Sequence, residues 1–72
     1  MKKYLKDDNA VRIMRMSEVI KATGYSRASI YALMAEGKFP KNVKLGKRAV
    51  GWNSHEVQAW VEGKIAGGDV YE

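Results

Sequence analysis

An acid-free basic segment with a turn at its centre is the strongest constraint on the fold of this chain. Residues 37–55 carry five Lys or Arg side chains and no Asp or Glu. Within this segment, Gly46-Lys47-Arg48 separates two short stretches rich in apolar residues, Val43-Lys44-Leu45 and Ala49-Val50-Gly51-Trp52. A glycine-containing turn between such stretches predicts a β-hairpin. Pro40 stands before the hairpin and prevents any preceding helix from continuing into it.

A first short helix is predicted upstream of the basic segment. Ser17 is a candidate N-cap, and Gly24 supplies the glycine that commonly follows a helix. The apolar and small residues recur at the spacing of one helix face, which comprises Met16, Val19, Ile20 and Thr23.

A second helix is predicted directly after it. Ser26 is the candidate N-cap, the helix runs from Arg27 to about Glu36, and Gly37 closes it. Ile30, Leu33 and Met34 share one face, which we expect to pack on the first helix. The link Gly24-Tyr25-Ser26 has the length of the tight turn in a helix-turn-helix.

The remaining segments complete a small mixed fold. Residues 11–15 alternate in part and predict a short strand that pairs with the hairpin. Asn53 or Ser54 caps a last helix that ends at Gly67-Gly68. We expect its apolar face to be buried, together with Trp52 and the loop residue Phe39; that face comprises Val57, Trp60, Val61 and Ile65.

The predicted fold class is therefore mostly α with a small β-hairpin. It has three helices and a two- or three-stranded wing, the architecture of a winged helix-turn-helix. Residues 11–66 form this domain in our prediction, with a flexible arm at residues 1–10 and a flexible tail at residues 67–72. A chain of 72 residues holds one domain at most.

The residue inventory argues against catalysis. The chain has no Cys, which excludes disulfides and thiolate zinc sites. Its single histidine, His55, has no partner residues at the spacing of a catalytic or metal site, so we assign it a surface or capping role. We predict no enzymatic activity, no metal and no cofactor.

The distribution of charge predicts a polyanionic partner. Residues 1–48 hold twelve Lys or Arg and four Asp or Glu, whereas residues 49–72 hold one Lys and four acids. A basic body of this kind favours nucleic acid, although many small proteins are basic. A membrane partner is disfavoured because the basic run lacks a helix with bulky apolar anchors. No apolar run approaches the ~20 residues that span a bilayer, so we expect a cytoplasmic protein.

The start of the second helix holds residues suited to DNA contacts. Arg27 can bind the O6 and N7 atoms of guanine or a phosphate. Ser26 and Ser29 can donate to phosphates, and the hydroxyls of Tyr25 and Tyr31 can reach the DNA backbone. The cationic side chains of the basic segment have two interpretations: they bind DNA phosphates, or they form a solvated charged turn. These side chains are Lys38, Lys41, Lys44, Lys47 and Arg48.

The face of the second helix opposite its apolar side has two interpretations. It carries Ala28, Ala32 and Ala35, where solvent-facing helices usually carry Lys, Glu or Gln. Alanines allow close approach to another body, and Ala can contact the methyl group of thymine. Alternatively, Ala is present because it is a good helix former.

These motifs together resemble the AlpA family of prophage regulators, over roughly residues 12–66. The resemblance lies in Met16-Ser17-Glu18-Val19, Thr23 to Tyr31, Glu36 to Lys41, Val43 to Trp52, and Ser54 to Trp60. It implies a MerR-like winged helix-turn-helix whose recognition positions are Ser26, Arg27, Ser29 and Tyr31. Its wing falls on residues 44–52. The family often has a basic residue after the tyrosine, where this chain has Ala32.

The resemblance implies a sequence-specific regulator of transcription from a prophage or genomic island, an excisionase (a recombination directionality factor), or both. Double-stranded DNA is the implied partner, with an integrase and self-association on repeated sites as further expectations. A cytoplasmic, nucleoid-associated location follows. The alternative is a protein-interaction adaptor that keeps the winged fold and docks an integrase or a polymerase subunit.

Overall fold

The computed structural model describes residues 10–67 of the chain. The predicted arm (residues 1–10) and tail (residues 67–72) lie outside the described residues except for Ala10 and Gly67. The elements, in chain order, are β1 (Ile13–Met14), α1 (Met16–Thr23), α2 (Arg27–Ala35), β2 (Val43–Lys44), β3 (Val50–Asn53) and α3 (Ser54–Gly67). Three helices with a small antiparallel sheet confirm the predicted winged helix-turn-helix.

The three strands form one sheet in the order β1-β3-β2. Val43 pairs with Gly51 and Lys44 with Val50 in an antiparallel hairpin. The turn is closed by a 2.8 Å hydrogen bond from the Leu45 N–H to the Ala49 carbonyl. On the other side of β3, β1 pairs antiparallel with it, which confirms the predicted third strand.

Helix α1 begins two residues earlier than its sequence suggests. The N-cap is Arg15, with extended φ and ψ of −85° and 169°, so the predicted cap at Ser17 is wrong. Arg15 takes this position because it is the residue that leaves β1, and its N–H donates to Glu18 Oε1 at 3.3 Å. The predicted end at Gly24 is confirmed by a φ of 79°, which favours glycine.

Helix α2 follows its sequence signals closely. Ser26 Oγ accepts a 3.1 Å hydrogen bond from the Ser29 N–H, which confirms the predicted cap. At the other end Gly37 has a φ of 74°, and the Lys38 N–H donates to the Leu33 carbonyl at 2.8 Å. These bonds end the helix and turn the chain toward the sheet.

Asn53 and Ser54 divide their roles at the start of α3. Asn53 Oδ1 accepts from the N–H groups of His55 and Glu56, at 2.8 and 3.2 Å, so Asn53 is the cap. Ser54 is buried instead and exchanges two hydrogen bonds with the backbone of Arg12. These bonds connect the start of α3 to Arg12, the residue that precedes β1.

The core lies between the sheet and the three helices. Four side chains are almost fully buried, namely Val19, Ile30, Trp52 and Val57, and they pack with Met14, Met16 and Phe39. The predicted burial of Ile65 is wrong, since its side chain is 78 % exposed. Residues 62–67 are all exposed, so this end of α3 extends beyond the core.

Within residues 10–67, no helix combines the length and the apolar character that crossing a membrane requires.

Candidate nucleic-acid interface

An open groove of about 570 Å³ connects the first half of α2 to the wing turn. Its floor and walls come from the start of α1, the exposed side of α2 and the turn between β2 and β3. The structure therefore brings together four residues that the sequence predicted separately as DNA contacts. The full lining comprises Arg15, Met16, Ser17, Arg27, Tyr31, Lys47, Arg48 and Val50.

The charged side chains that line this groove are all positive. Arg15, Arg27, Lys47 and Arg48 contribute four cations, and no carboxylate belongs to the lining. Glu18 lies in the first turn of α1, close in sequence to this wall, but its charge is already paired. Its Oε2 accepts a 2.6 Å hydrogen bond from Arg12 Nη1. Such a groove suits a polyanion such as a phosphodiester backbone.

The pairing of Glu18 lowers the pKa of its carboxyl. The hydrogen bond from the Arg12 side chain, followed by that from the Arg15 backbone, holds the pKa of the carboxyl below its ordinary value of 4.5. Glu18 therefore stays ionised and bound to Arg12 at neutral pH.

Arg15 and Ser17 are groove residues that sequence reasoning did not identify. Arg15 Nε donates a 3.1 Å hydrogen bond to the carbonyl oxygen of Val50 on β3. This bond depends on the pairing of β1 with β3, so no local sequence signal reports it. Ser17 enters the groove because α1 begins at Met16, which places Ser17 in the first turn and not at the cap.

The two serines at the start of α2 differ in what they can offer a ligand. Ser26 Oγ accepts from the Ser29 N–H and donates to Ser29 Oγ at 3.1 Å, so its hydroxyl serves the helix cap. Ser29 Oγ accepts that bond and keeps its own hydrogen to donate. Both residues are exposed.

Comparison with known proteins identifies the family. The model of the family described as "Prophage CP4-57 regulatory protein (AlpA)" matches residues 12–65. The chain belongs to the AlpA family. It is 39 % identical over 59 residues to the "DNA-binding transcriptional activator AlpA" of Escherichia coli strain K12, covering 74 % of this chain and 84 % of that protein.

A second relative comes from a bacteriophage. The chain is 44 % identical over 63 residues to the "Uncharacterized protein ORF88" of Enterobacteria phage P4, covering 88 % of this chain and 72 % of that protein. No solved structure matches the chain.

In this AlpA-family chain, the alanine face of α2 is exposed as predicted. Ala28, Ala32 and Ala35 all face solvent, while Ile30 on the opposite side is fully buried. A helix surface of this kind presents little steric bulk to an approaching body. Whether the alanines contact thymine methyl groups stays a prediction.

Tyr25 lies apart from the groove of this AlpA-family protein. Its ring packs edge-on against Trp60 of α3, with centroids 5.8 Å apart, and it stays 39 % exposed. The Trp60 ring also packs against Phe39, with ring centroids 4.8 Å apart, and Lys64 Nζ lies 5.4 Å from its centroid. The predicted burial is thus confirmed for Trp52, which is fully buried, while Trp60 is half-buried.

The other predicted lysines are exposed but do not line the groove. Lys38 and Lys41 line a separate open surface together with Phe39 and Trp60. Lys38 Nζ also lies 3.5 Å from Glu36 Oε1. Lys44 stands on β2, paired in register with Val50.

Within residues 10–67, no group of three His, Asp or Glu side chains is placed to hold a metal ion. His55 lies in the first turn of α3, where its N–H donates to the Asn53 cap.

Proposed function

We propose that this AlpA-family chain binds double-stranded DNA sequence-specifically and regulates transcription from a prophage or genomic island. The observation that carries the proposal is the groove lined by four cations and no carboxylate, which connects the start of α2 to the wing turn. The similarity to the DNA-binding transcriptional activator AlpA of Escherichia coli supports it independently.

In this proposal α2 enters the major groove with its first turn foremost. In helix-turn-helix proteins the N-terminal residues of the second helix reach base edges. Arg27 binds guanine in bidentate fashion, and Ala28 and Ala32 allow the helix to approach the bases closely. Ser29 and Tyr31 donate to the DNA backbone, which fixes the position of the helix without reading sequence.

The wing holds the DNA backbone beside the reading helix. Lys47 and Arg48 at the wing turn bind phosphates or enter the adjacent minor groove. Lys44 extends this contact along β2. Lys38, Lys41 and Tyr25 remain proposed as peripheral phosphate contacts, because they lie outside the groove lining. Ser26 also remains proposed as one, although its hydroxyl must first release Ser29 Oγ to donate to a phosphate.

The same surface serves transcription control and excision equally well. A protein that occupies a promoter acts as a regulator, and one that bends or bridges an attachment site acts as an excisionase, with an integrase as partner. A single module of this size buries only ~600–1,000 Å² of its surface on DNA, which is small for specific binding. We therefore propose cooperative binding to repeated sites.

An electrophoretic mobility-shift assay tests this proposal. Duplex fragments that tile the DNA around the gene and the nearest integrase gene are incubated with the protein and an excess of random-sequence duplex. Retardation of one fragment in the presence of competitor supports specific binding. Direct conversion of free DNA to a multiply bound complex, with few intermediate bands, supports cooperativity. A bound promoter favours the regulator, and a bound attachment site favours the excisionase. Equal displacement of every fragment by random duplex contradicts sequence-specific binding.

An adaptor that docks an integrase or polymerase subunit is the second candidate. The observation that favours it is the exposed alanine face of α2, against which a partner helix can pack closely. An adaptor has no need of phosphate binding, so retention on heparin or on random duplex separates the two candidates. Absence of retention at low salt favours the adaptor.

A further inference from the structure

We propose that Arg15, at the start of α1, binds a backbone phosphate of the DNA together with the wing turn. The inference rests on the proposed DNA-binding function and adds to it a residue outside the recognition helix and the wing. Three observations carry it: the anchored position of the side chain, the charges around it, and the contrast with Arg12.

The side chain of Arg15 is held in place at one nitrogen and left available at the other two. Its Nε donates to the Val50 carbonyl at 3.1 Å. In residues 10–67 its two terminal nitrogens make no hydrogen bond or ion pair, and Arg15 is exposed. A guanidinium is a planar fork that binds a phosphate through two parallel hydrogen bonds. Fixing Nε orients that fork before any ligand arrives, which lowers the entropy lost on binding.

The position of this anchor associates Arg15 with the wing. Val50 follows the wing turn on β3, and Arg15 lines the same groove as Lys47 and Arg48. Arg27 lines it from α2. A phosphate in this groove is therefore approached by cations from α1, from α2 and from the wing. Such convergence fixes the register of the helix on the duplex.

Arg12 provides the contrast that separates a ligand-binding arginine from a structural one. Arg12 is bound to the carboxylate of Glu18 at 2.6 Å, and its charge is thereby satisfied within the fold. Among residues 10–67, the guanidinium of Arg15 has only the neutral Val50 carbonyl as a partner, and it lines a groove whose other charged side chains are positive. Cations gathered without a counter-charge repel one another and destabilise the fold, and a bound phosphate removes that penalty.

The test is the salt dependence of binding to a random-sequence DNA duplex. The slope of log K against log[salt] is measured for the wild type, Arg15→Gln and Lys21→Gln. Lys21→Gln is the matched control, since it removes one exposed positive charge from the same helix outside the groove lining. Loss of one phosphate contact reduces the magnitude of the slope by about 0.9. We expect this reduction, with at least roughly tenfold weaker binding, for Arg15→Gln, and an unchanged slope for Lys21→Gln.

A purely structural role for Arg15 predicts a different outcome. It would lower the unfolding temperature of Arg15→Gln while the salt dependence of DNA binding keeps the wild-type slope, and this result overturns the inference.

A second measurement uses only the wild-type protein and so does not depend on the folding of a variant. In the wild type, the NMR signal of the Arg15 Nε–H group is followed while duplex is added, and a shift at saturation is expected. An unchanged signal overturns the inference. Failure of the wild type to bind any duplex overturns the proposed function as well, whereas binding with an unchanged Arg15→Gln slope overturns this inference alone.

Discussion

The indole N–H of Trp60 donates a 2.7 Å hydrogen bond to the carbonyl oxygen of Lys38, 22 residues earlier in the chain. Two residues further on, the Pro40 carbonyl accepts a 3.0 Å bond from the indole of Trp52. Phe39 lies between them and packs edge-on against both rings. The connection from α2 to the hairpin is thus held at three consecutive residues, which fixes α2 relative to the hairpin.

Trp60→Phe tests the contribution of one of these bonds. The smaller phenyl ring keeps only part of the packing against Phe39 and Tyr25 and has no N–H for the Lys38 carbonyl. We expect the free energy of unfolding to fall by at least about 0.5–1.5 kcal/mol, the net value of one hydrogen bond, because the lost packing adds to it. Urea denaturation, monitored by far-UV circular dichroism, measures this change in the free energy of unfolding. Tyr25→Phe, which removes only a hydroxyl, serves as the control and should leave the stability unchanged.

Gly51→Ala should destabilise the sheet. A Cβ at Gly51 collides with Ile13 Cγ2 and lies 3.2 Å from both the Met14 carbonyl oxygen and Leu45 Cδ1. Relief requires the Ile13 side chain to change rotamer or β1 to move away from β3, at a cost of about 1–3 kcal/mol. Gly63→Ala is the control, because Gly63 lies inside α3 with open space around it. There we expect a gain of up to ~1 kcal/mol. Equal stabilities of the two variants in urea denaturation would contradict this packing of β1 on β3.

Acid should weaken the contact between Arg12 and Glu18. The pKa of Glu18 in the folded protein is below its ordinary value of 4.5, chiefly through the hydrogen bond from Arg12. Because the folded pKa is the lower one, the stabilisation is present above pH 4.5 and is lost as the pH falls through the folded value. We expect Glu18→Gln to be less stable than the wild type at neutral pH. The difference should disappear in strong acid, as measured by thermal unfolding across a pH series. A constant difference across the series would show that ionisation of Glu18 contributes nothing.

Local signals in the sequence predicted most of the fold. Gly24 and Ser26 mark the turn between α1 and α2 because a left-handed φ and a helix cap each require particular residue types. Ser17 was misassigned because the end of β1, rather than the best capping residue, decides where α1 begins. Ile65 matches the helical period of Val57 and Val61 but lies where α3 has passed the core.

The candidate site was predictable in part. Arg27, Lys47 and Arg48 stand out as cations at the start of a helix and at a turn, and these positions are exposed in the structure. Arg15 has no such local signal. Its position in the groove follows from strand pairing, which brings it to Val50, 35 residues away.

Lys47→Ala should weaken binding to every DNA sequence by a similar factor. Lys47 at the wing turn is proposed to neutralise a phosphate, and phosphates are the same in every sequence. We expect the salt slope to fall in magnitude by about 0.9, on specific and random duplex alike. Fluorescence anisotropy titrations at several salt concentrations measure it. A loss confined to the specific site would instead indicate a base contact by Lys47.

Sequence-specific binding by α2 is tested most directly by the specificity ratio, which is the Kd for random duplex divided by the Kd for the specific fragment. The ratio is measured for the wild type and for Arg27→Ala at one salt concentration. We predict a wild-type ratio of at least ~10³. Arg27→Ala should lose about 1–3 kcal/mol on the specific fragment and much less on random duplex, so that the ratio falls. A wild-type ratio near one would contradict sequence-specific binding, and an unchanged ratio in Arg27→Ala would contradict the placement of α2 in the major groove.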